Sequence, residues 1–155
     1  SIGKQPLDVS DGGVKMSGDS AARAEVETFI GQWGQTDQAM SDCFRSLYQT
    51  LAAMGGVELR FIARPGVSYS LRPWRENGAG RKFFAIVDVI DVDPAERWLS
   101  VCFYGDMITD PSELGEAIPG GLGGSDGYCF NLFAADDELL TYLGDRLTEA
   151  WRAAR

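Results

Sequence analysis

Histidine is absent from all 155 residues of the chain. Its absence excludes Ser-His-Asp and Cys-His catalysis, imidazole zinc sites and a histidine pH switch. Acid-base chemistry would have to come from Asp, Glu, Tyr, Cys or Lys. Lysine is scarce as well: only Lys4, Lys15 and Lys82 occur, the first two in an N-terminal arm, so Lys82 is the one Schiff-base candidate in the globular part. Cys43, Cys102 and Cys129 form an odd count without CxxC spacing. That pattern argues against a disulfide framework and a structural zinc site, and points to a reduced, cytoplasmic setting. No apolar run approaches the roughly 20 residues of a spanning helix, and the first twenty residues lack the apolar centre of a secretory signal. The chain reads as soluble. Positive charge is also in short supply, with 14 Lys and Arg against 23 Asp and Glu, a net charge of -9. Duplex DNA and anionic membranes, which are bound chiefly through Lys and Arg, are therefore poor partners. A small anionic ligand or a protein partner fits better, with the chain a monomer or homodimer.

With 45% hydrophobic residues, the chain has the composition of one globular domain. Residues 1–20 are rich in Gly, Ser and Asp and read as an arm, with a short hairpin around Asp11, Gly12 and Gly13. Residues 21–155 form a single α+β domain. Ala22, Val26, Phe29, Ile30 and Trp33 recur at helical spacing after a capping candidate, Ser20, and stop near Gly34. Thr36 is positioned to cap a second helix, whose stripe is Met40, Cys43, Phe44, Leu47, Tyr48, Leu51 and Met54, closed by Gly55 and Gly56. The stripe makes Cys43 a buried residue.

The period then changes to two. Val57, Leu59, Phe61 and Ala63 alternate with charged residues, and after Pro65-Gly66 the residues Val67, Tyr69 and Leu71 alternate with Ser68, Ser70 and Arg72, predicting a hairpin with one wet face. Asn77 to Gly80 makes a break. Lys82–Ile90, nearly continuously apolar, predicts a central strand covered on both sides. Trp98–Tyr104 and Tyr128–Phe133 supply two more strands, and Asp136 or Asp137 caps a last helix carrying Leu139, Leu140, Leu143, Leu147, Ala150 and Trp151. The expected fold is thus a two-layer α+β domain: a mostly antiparallel five-stranded sheet with two N-terminal helices and one C-terminal helix packed on it.

Three groups of residues carry candidate chemistry. Between Gly115 and Gly127 lie six of nineteen glycines. This run resembles a phosphate loop, but it leads into a strand rather than a helix, lacks GxxxxGK[ST] and carries Glu116 and Asp126, which repel phosphate. It reads as a flap built on Gly120, Gly121, Gly123 and Gly124, covering a site made by other residues. The second group is the basic-aromatic stretch from Arg60 to Phe84, which concentrates six of the fourteen positive charges. Alternation puts Arg60, Arg64 and Arg72 on the wet face with Ser68 and Ser70, where they can clamp a carboxylate or phosphate while Tyr69 or Trp74 stacks on a planar group and Lys82 adds charge. The alternative is an exposed sheet face whose arginines pair with neighbouring acids. The third group is Asp88, Asp91, Asp93, Asp106 and Asp110, which adjacent strands would have to bring together to bind a cation or act as an acid-base pair. Asp88 stands out because it interrupts an apolar strand. Cys102 and Cys129, on strands expected to be neighbours, read as paired buried thiols.

The segment Arg81–Pro111, with Lys82, Phe84 and Ala85 on a strand and the Asp110-Pro111 turn, then a late strand and closing helix, resembles small bacterial domains of the YdhG and YjbR type. The resemblance covers residues 57–154 and implies an α+β fold in a family of undefined biochemical role. It carries over no catalytic residue. The function expected is a non-catalytic binding or interaction module with an Arg/aromatic anion-binding face and no cofactor. Two alternatives stand beside it: a histidine-free enzyme using Asp88 with Tyr69, Tyr104 or Lys82, metal-assisted or not, and an acidic protein that captures a basic partner.

Overall fold

A computed structural model describes residues 18–75 and 81–155. The hairpin expected at Asp11–Gly13 and the break at Asn77–Gly80 lie outside the described residues. The elements in chain order are α1 (Asp19–Gly34), α2 (Gln38–Ala52), β1 (Glu58–Arg64), β2 (Ser68–Trp74), β3 (Ile86–Ile90), β4 (Trp98–Tyr104), a 3-10 turn at Gly105–Met107, β5 (Glu116–Leu122), β6 (Ser125–Leu132) and α3 (Asp137–Ala153). All strand pairs are antiparallel, in the order β1-β2-β3-β4-β6-β5. The α+β architecture is as the periodicity predicts, but the sheet has six strands rather than five.

The helix ends differ in detail from expectation. Helix α1 starts at Asp19, so Ser20 lies inside it and does not cap it; Gly18 occupies the cap position without a side-chain bond. Asp19 instead accepts the Leu59 backbone N–H (2.7 Å) and pairs with Arg23, tying the helix start to β1. Asp37 rather than Thr36 caps α2, accepting the Met40 N–H, while the Thr36 hydroxyl donates back to the Trp33 carbonyl. Asp136 caps α3 through the Leu139 N–H.

The helices cover one face of the sheet. Leu59, Phe61, Leu71, Val87, Val89, Leu99, Val101, Phe103, Phe130 and Leu132 from the strands join the buried stripes of α1, α2 and α3 in one apolar core. Aromatic contacts knit the layers: Phe29 of α1 touches Phe61 (5.8 Å) and stacks on Tyr69 (4.3 Å), and Phe130 meets Tyr142 of α3 (6.0 Å). Among the described residues, the other face carries no helix. Its register sets Ile62, Ser70, Asp88, Ser100 and Asn131 in one row across five strands, and Ile86, Cys102, Cys129 and Glu116 in another. The expectation that Lys82–Ile90 is covered on both sides is thereby corrected. Only Ile86–Ile90 is a strand, with Val87 and Val89 buried while Ile86, Asp88 and Ile90 are half-buried on the open side.

The expected glycine loop is itself a hairpin. Leu122 pairs with Ser125 around Gly123 and Gly124, both with positive φ (59° and 92°), the two-residue turn whose twist matches that of the strands. Gly115, just before β5, passes so close to the rings of Tyr128 and Phe130 that a Cβ there would lie 2.5 Å from one and 2.8 Å from the other. Cys102 and Cys129 also depart from expectation. Directly opposed on β4 and β6, with Cα atoms 4.1 Å apart, they form a disulfide on the open face and are half-buried. Sequence spacing says nothing about such cross-sheet pairing, and the disulfide removes the cysteine count as an argument for a reducing compartment. Cys43 is free and buried in α2. No helix among the described residues is long and apolar enough to cross a membrane.

Candidate functional site

A cleft of about 760 Å³ opens where the end of the uncovered sheet face meets the tip of the β5–β6 hairpin. Arg72, Trp74 and Ile86 come from β2 and β3, Arg81, Lys82 and Phe83 from the segment entering β3, Tyr104 and Asp106 from the end of β4 and the turn after it, and Gly121, Leu122, Gly123 and Ser125 from the hairpin. A smaller cavity of about 350 Å³, lined by Gly56, Glu58, Arg60, Trp74 and Lys82, shares Trp74 and Lys82 with it.

Arg72 is the central cation. Strand alternation sends its side chain to the open face, where its Nε donates to the Ser70 hydroxyl (3.1 Å) and its guanidinium carbon lies 5.7 Å from the centre of the Phe83 ring. No carboxylate among the described residues lies within salt-bridge distance of it, although Asp88 is near enough to act on its charge. Burial pulls its pKa below the ordinary arginine value, opposed by the neighbouring Asp88. Lys82 is exposed and likewise makes no ion pair with a described residue. Arg81 is engaged: it pairs with Asp106 (2.6 Å) and lies 4.0 Å from the Tyr104 ring centre. The rings of Trp74, Phe83 and Tyr104 form a continuous aromatic row, with successive centroids 6.0 and 5.7 Å apart. Trp74 adds a buried indole N–H that donates to no acceptor, a state that costs free energy unless a partner arrives.

Asp88 lies two residues from Ile86 on the same face, opposite Ser70. Its Oδ1 is buried and accepts no hydrogen bond. Burial raises its pKa above the ordinary aspartate value, against the opposing influence of the Ser70 hydroxyl, Arg72 and Arg64.

The remaining candidates are placed as follows. Arg60 bridges to Glu58 (2.9 Å) and lies over Trp74 at 5.6 Å, so it borders the smaller cavity. Arg64 sits at the opposite end of β1, paired in register with Ser68, away from the cleft. Tyr69 is on the helix-covered face, stacked on Phe29; it is a core residue, and the structure does not bring it to the ligand face. Gly120 and Gly124 belong to the hairpin tip, but only Gly121 and Gly123 line the cleft. The trio Asp88, Lys82 and Tyr69 does not converge, since Tyr69 is on the other side of the sheet.

The five aspartates are dispersed too, and no group of three or more acidic or thiol residues among the described residues is arranged to hold a metal. Asp91 accepts from the Gly66 N–H (2.7 Å) and from Arg97 (2.6 Å), Asp93 accepts the Ala95 N–H in its turn, and Asp106 holds Arg81. Asp110 accepts the hydroxyls of Tyr142 and Tyr128 and the N–H groups of Leu114 and Gly115. Partial burial works to raise the Asp110 pKa, but these donors outweigh it and hold the carboxyl at about 2.

Another groove, about 520 Å³ between α1 and α2, has its polar groups satisfied from within: Arg23 with Asp19, Arg45 with Asp42 and the Tyr48 hydroxyl with Glu27. The Arg72 cleft instead includes Trp74, whose buried indole N–H has no acceptor. The basic-aromatic stretch of the sequence contains Arg72, Trp74, Lys82 and Phe83, and Tyr104 enters the sequence reading only as a partner for Asp88; Ile86 and the hairpin wall are added by tertiary folding. No protein-family model matches the chain, and no curated protein or solved structure shows significant similarity to it.

Proposed function

We propose that the protein is a binding module whose cleft between β2, β3, β4 and the β5–β6 hairpin recognises a small anionic ligand, without catalysis. The observation that carries this reading is Arg72, a half-buried guanidinium fixed by Ser70 and Phe83 that forms no salt bridge with a described carboxylate. Holding a cation in a partly dry site costs free energy, and a bound anion offsets that cost through charge-assisted hydrogen bonds. Lys82, the Trp74 indole N–H and the hairpin glycines, which have no side chain to obstruct approach, support the same reading.

A thermal-shift panel of carboxylates, sulfonates and phosphates tests it, since a ligand that binds only the folded state raises the melting temperature. Stabilisation by one or more anions should disappear in Arg72→Gln and persist in Arg45→Gln, whose side chain lies on α2 and pairs with Asp42. Stabilisation that survives in Arg72→Gln would place the ligand elsewhere.

A further inference from the structure

The arrangement of charge around the cleft narrows the ligand class. Among the described lining residues, Arg72, Arg81 and Lys82 face a single carboxylate, Asp106, leaving a formal charge of +2. Arg81 and Asp106 satisfy each other at 2.6 Å, so the surplus resides on Arg72 and Lys82, which come from different segments on the same cleft. One monoanion, a carboxylate or a sulfonate, would neutralise one of these and leave the other unmatched. A phosphate monoester is close to a dianion at neutral pH and presents three terminal oxygens, enough for both cations at once. Alongside them runs the row Trp74, Phe83 and Tyr104, an apolar wall suited to a flat ring. The buried Trp74 N–H supplies a further donor for an oxygen. At about 760 Å³, the cleft has the size of a small-molecule site.

We infer that the ligand is a small phosphate monoester carried on a planar ring, its phosphoryl group between Arg72 and Lys82 and its ring against Trp74 and Phe83. This rests on the anion-binding reading above. The fork of Arg72 suits a phosphoryl group because two of its nitrogens can each meet a separate oxygen, whereas Lys82 acts as a point charge. Asp88, on the neighbouring strand, does not line the cleft and forms no salt bridge with Arg72, although its charge acts on it.

The test uses the full chain at pH 7.5 and isothermal titration with four probes: phenyl phosphate, benzenesulfonate, inorganic phosphate and a short phosphotyrosine peptide. Benzenesulfonate keeps the ring and three oxygens but carries one charge; inorganic phosphate keeps the charge without the ring. Phenyl phosphate is expected to bind at least about tenfold more tightly than either, a difference of about 1.4 kcal/mol. Arg72→Gln and Lys82→Gln should each weaken it about tenfold, while the circular dichroism and melting temperature of the free variants match the parent.

Benzenesulfonate binding as tightly as phenyl phosphate, with loss in Arg72→Gln, would overturn the dianion and leave the anion-binding reading standing. Equal affinity for inorganic phosphate would overturn the aromatic part. Binding of a phosphotyrosine peptide when phenyl phosphate is inert would overturn the small-molecule assignment. Failure of all anions to bind would overturn this inference and the anion-binding reading together.

Discussion

Arg97 and Arg72 are both arginines laid against aromatic rings, and the protein treats them in opposite ways. Arg97 lies within 5.2 to 5.5 Å of the ring centres of Phe29, Trp33 and Tyr69, and its Nε donates at 2.6 Å to Asp91, a carboxylate that is almost entirely buried. Asp91 in turn accepts the Gly66 N–H, closing the β1–β2 turn onto the start of the β3–β4 connection. Burial alone would raise the Asp91 pKa; the Gly66 N–H and Arg97 outweigh it and the net shift is downward. Arg72 has one ring, one neutral hydroxyl and no ion pair. A cation completed by the chain is a structural joint. A cation held in place without a paired carboxylate is what the proposed recognition site rests on.

The largest expected effect breaks the completed side of this comparison. Asp91→Ala leaves the Arg97 guanidinium among aromatic rings without its counter-ion and the Gly66 N–H without an acceptor, and should cost about 3–5 kcal/mol in urea unfolding. Asp110→Ala comes next, removing a carboxylate that accepts four hydrogen bonds from the β4–β5 connection, β6 and α3. The loss should be about 2 kcal/mol at pH 7. Its pH dependence has a definite sign: the folded pKa, about 2, lies below the ordinary aspartate value near 3.9. The stability that Asp110 contributes is therefore fully present above about pH 4–5 and lost as pH falls towards 2. In Asp110→Ala this share of the acid-induced loss should vanish, as read from unfolding free energies between pH 2 and 6.

On the incomplete side, Arg72→Gln should change stability by less than about 1 kcal/mol while abolishing anion-dependent stabilisation. If that substitution instead destabilises the fold as Asp91→Ala does, Arg72 is another structural joint and the distinction collapses. The smallest effect is expected from Asp88→Asn. With its folded pKa raised by burial, Asp88 favours folding at low pH and loses that contribution as pH rises through its folded value, the reverse of Asp110. Asp88→Asn should leave stability at pH 4 nearly unchanged and flatten the decline as pH rises above 4. A steeper decline in the variant would contradict this account.

Much of the architecture was legible along the chain. The stripe from Met40 to Leu51 and that from Leu139 to Ala150 announce α2 and α3, because burial of one helical face imposes a period that few other structures share. The alternation through Arg60 and Arg72 puts both on the wet face, where the structure has them. The sixth strand, Glu116–Leu122, has no apolar alternation to announce it, being exposed at all but its last residue, although its turn is written in Gly123-Gly124. Tyr69 was misplaced because an aromatic residue beside arginines reads equally well as a ligand platform or as core; only the presence of Phe29 across the layer decides. Asp91, Asp106 and Asp110 resemble a metal cluster in one dimension, and their actual partners, Arg97, Arg81, Tyr128 and Tyr142, are 6 to 32 residues away.

What the sequence by itself determined is a histidine-free, acidic α+β chain with its positive charge gathered on one hairpin and its neighbours, because composition and periodicity are local properties. Which of those cations would pair with a carboxylate of the chain and which would not was decided by the tertiary structure alone. An ion pair forms only when side chains from distant segments arrive within about 4 Å of each other, and that is set by strand order and by the curl of the β5–β6 hairpin over the open face, not by spacing along the chain.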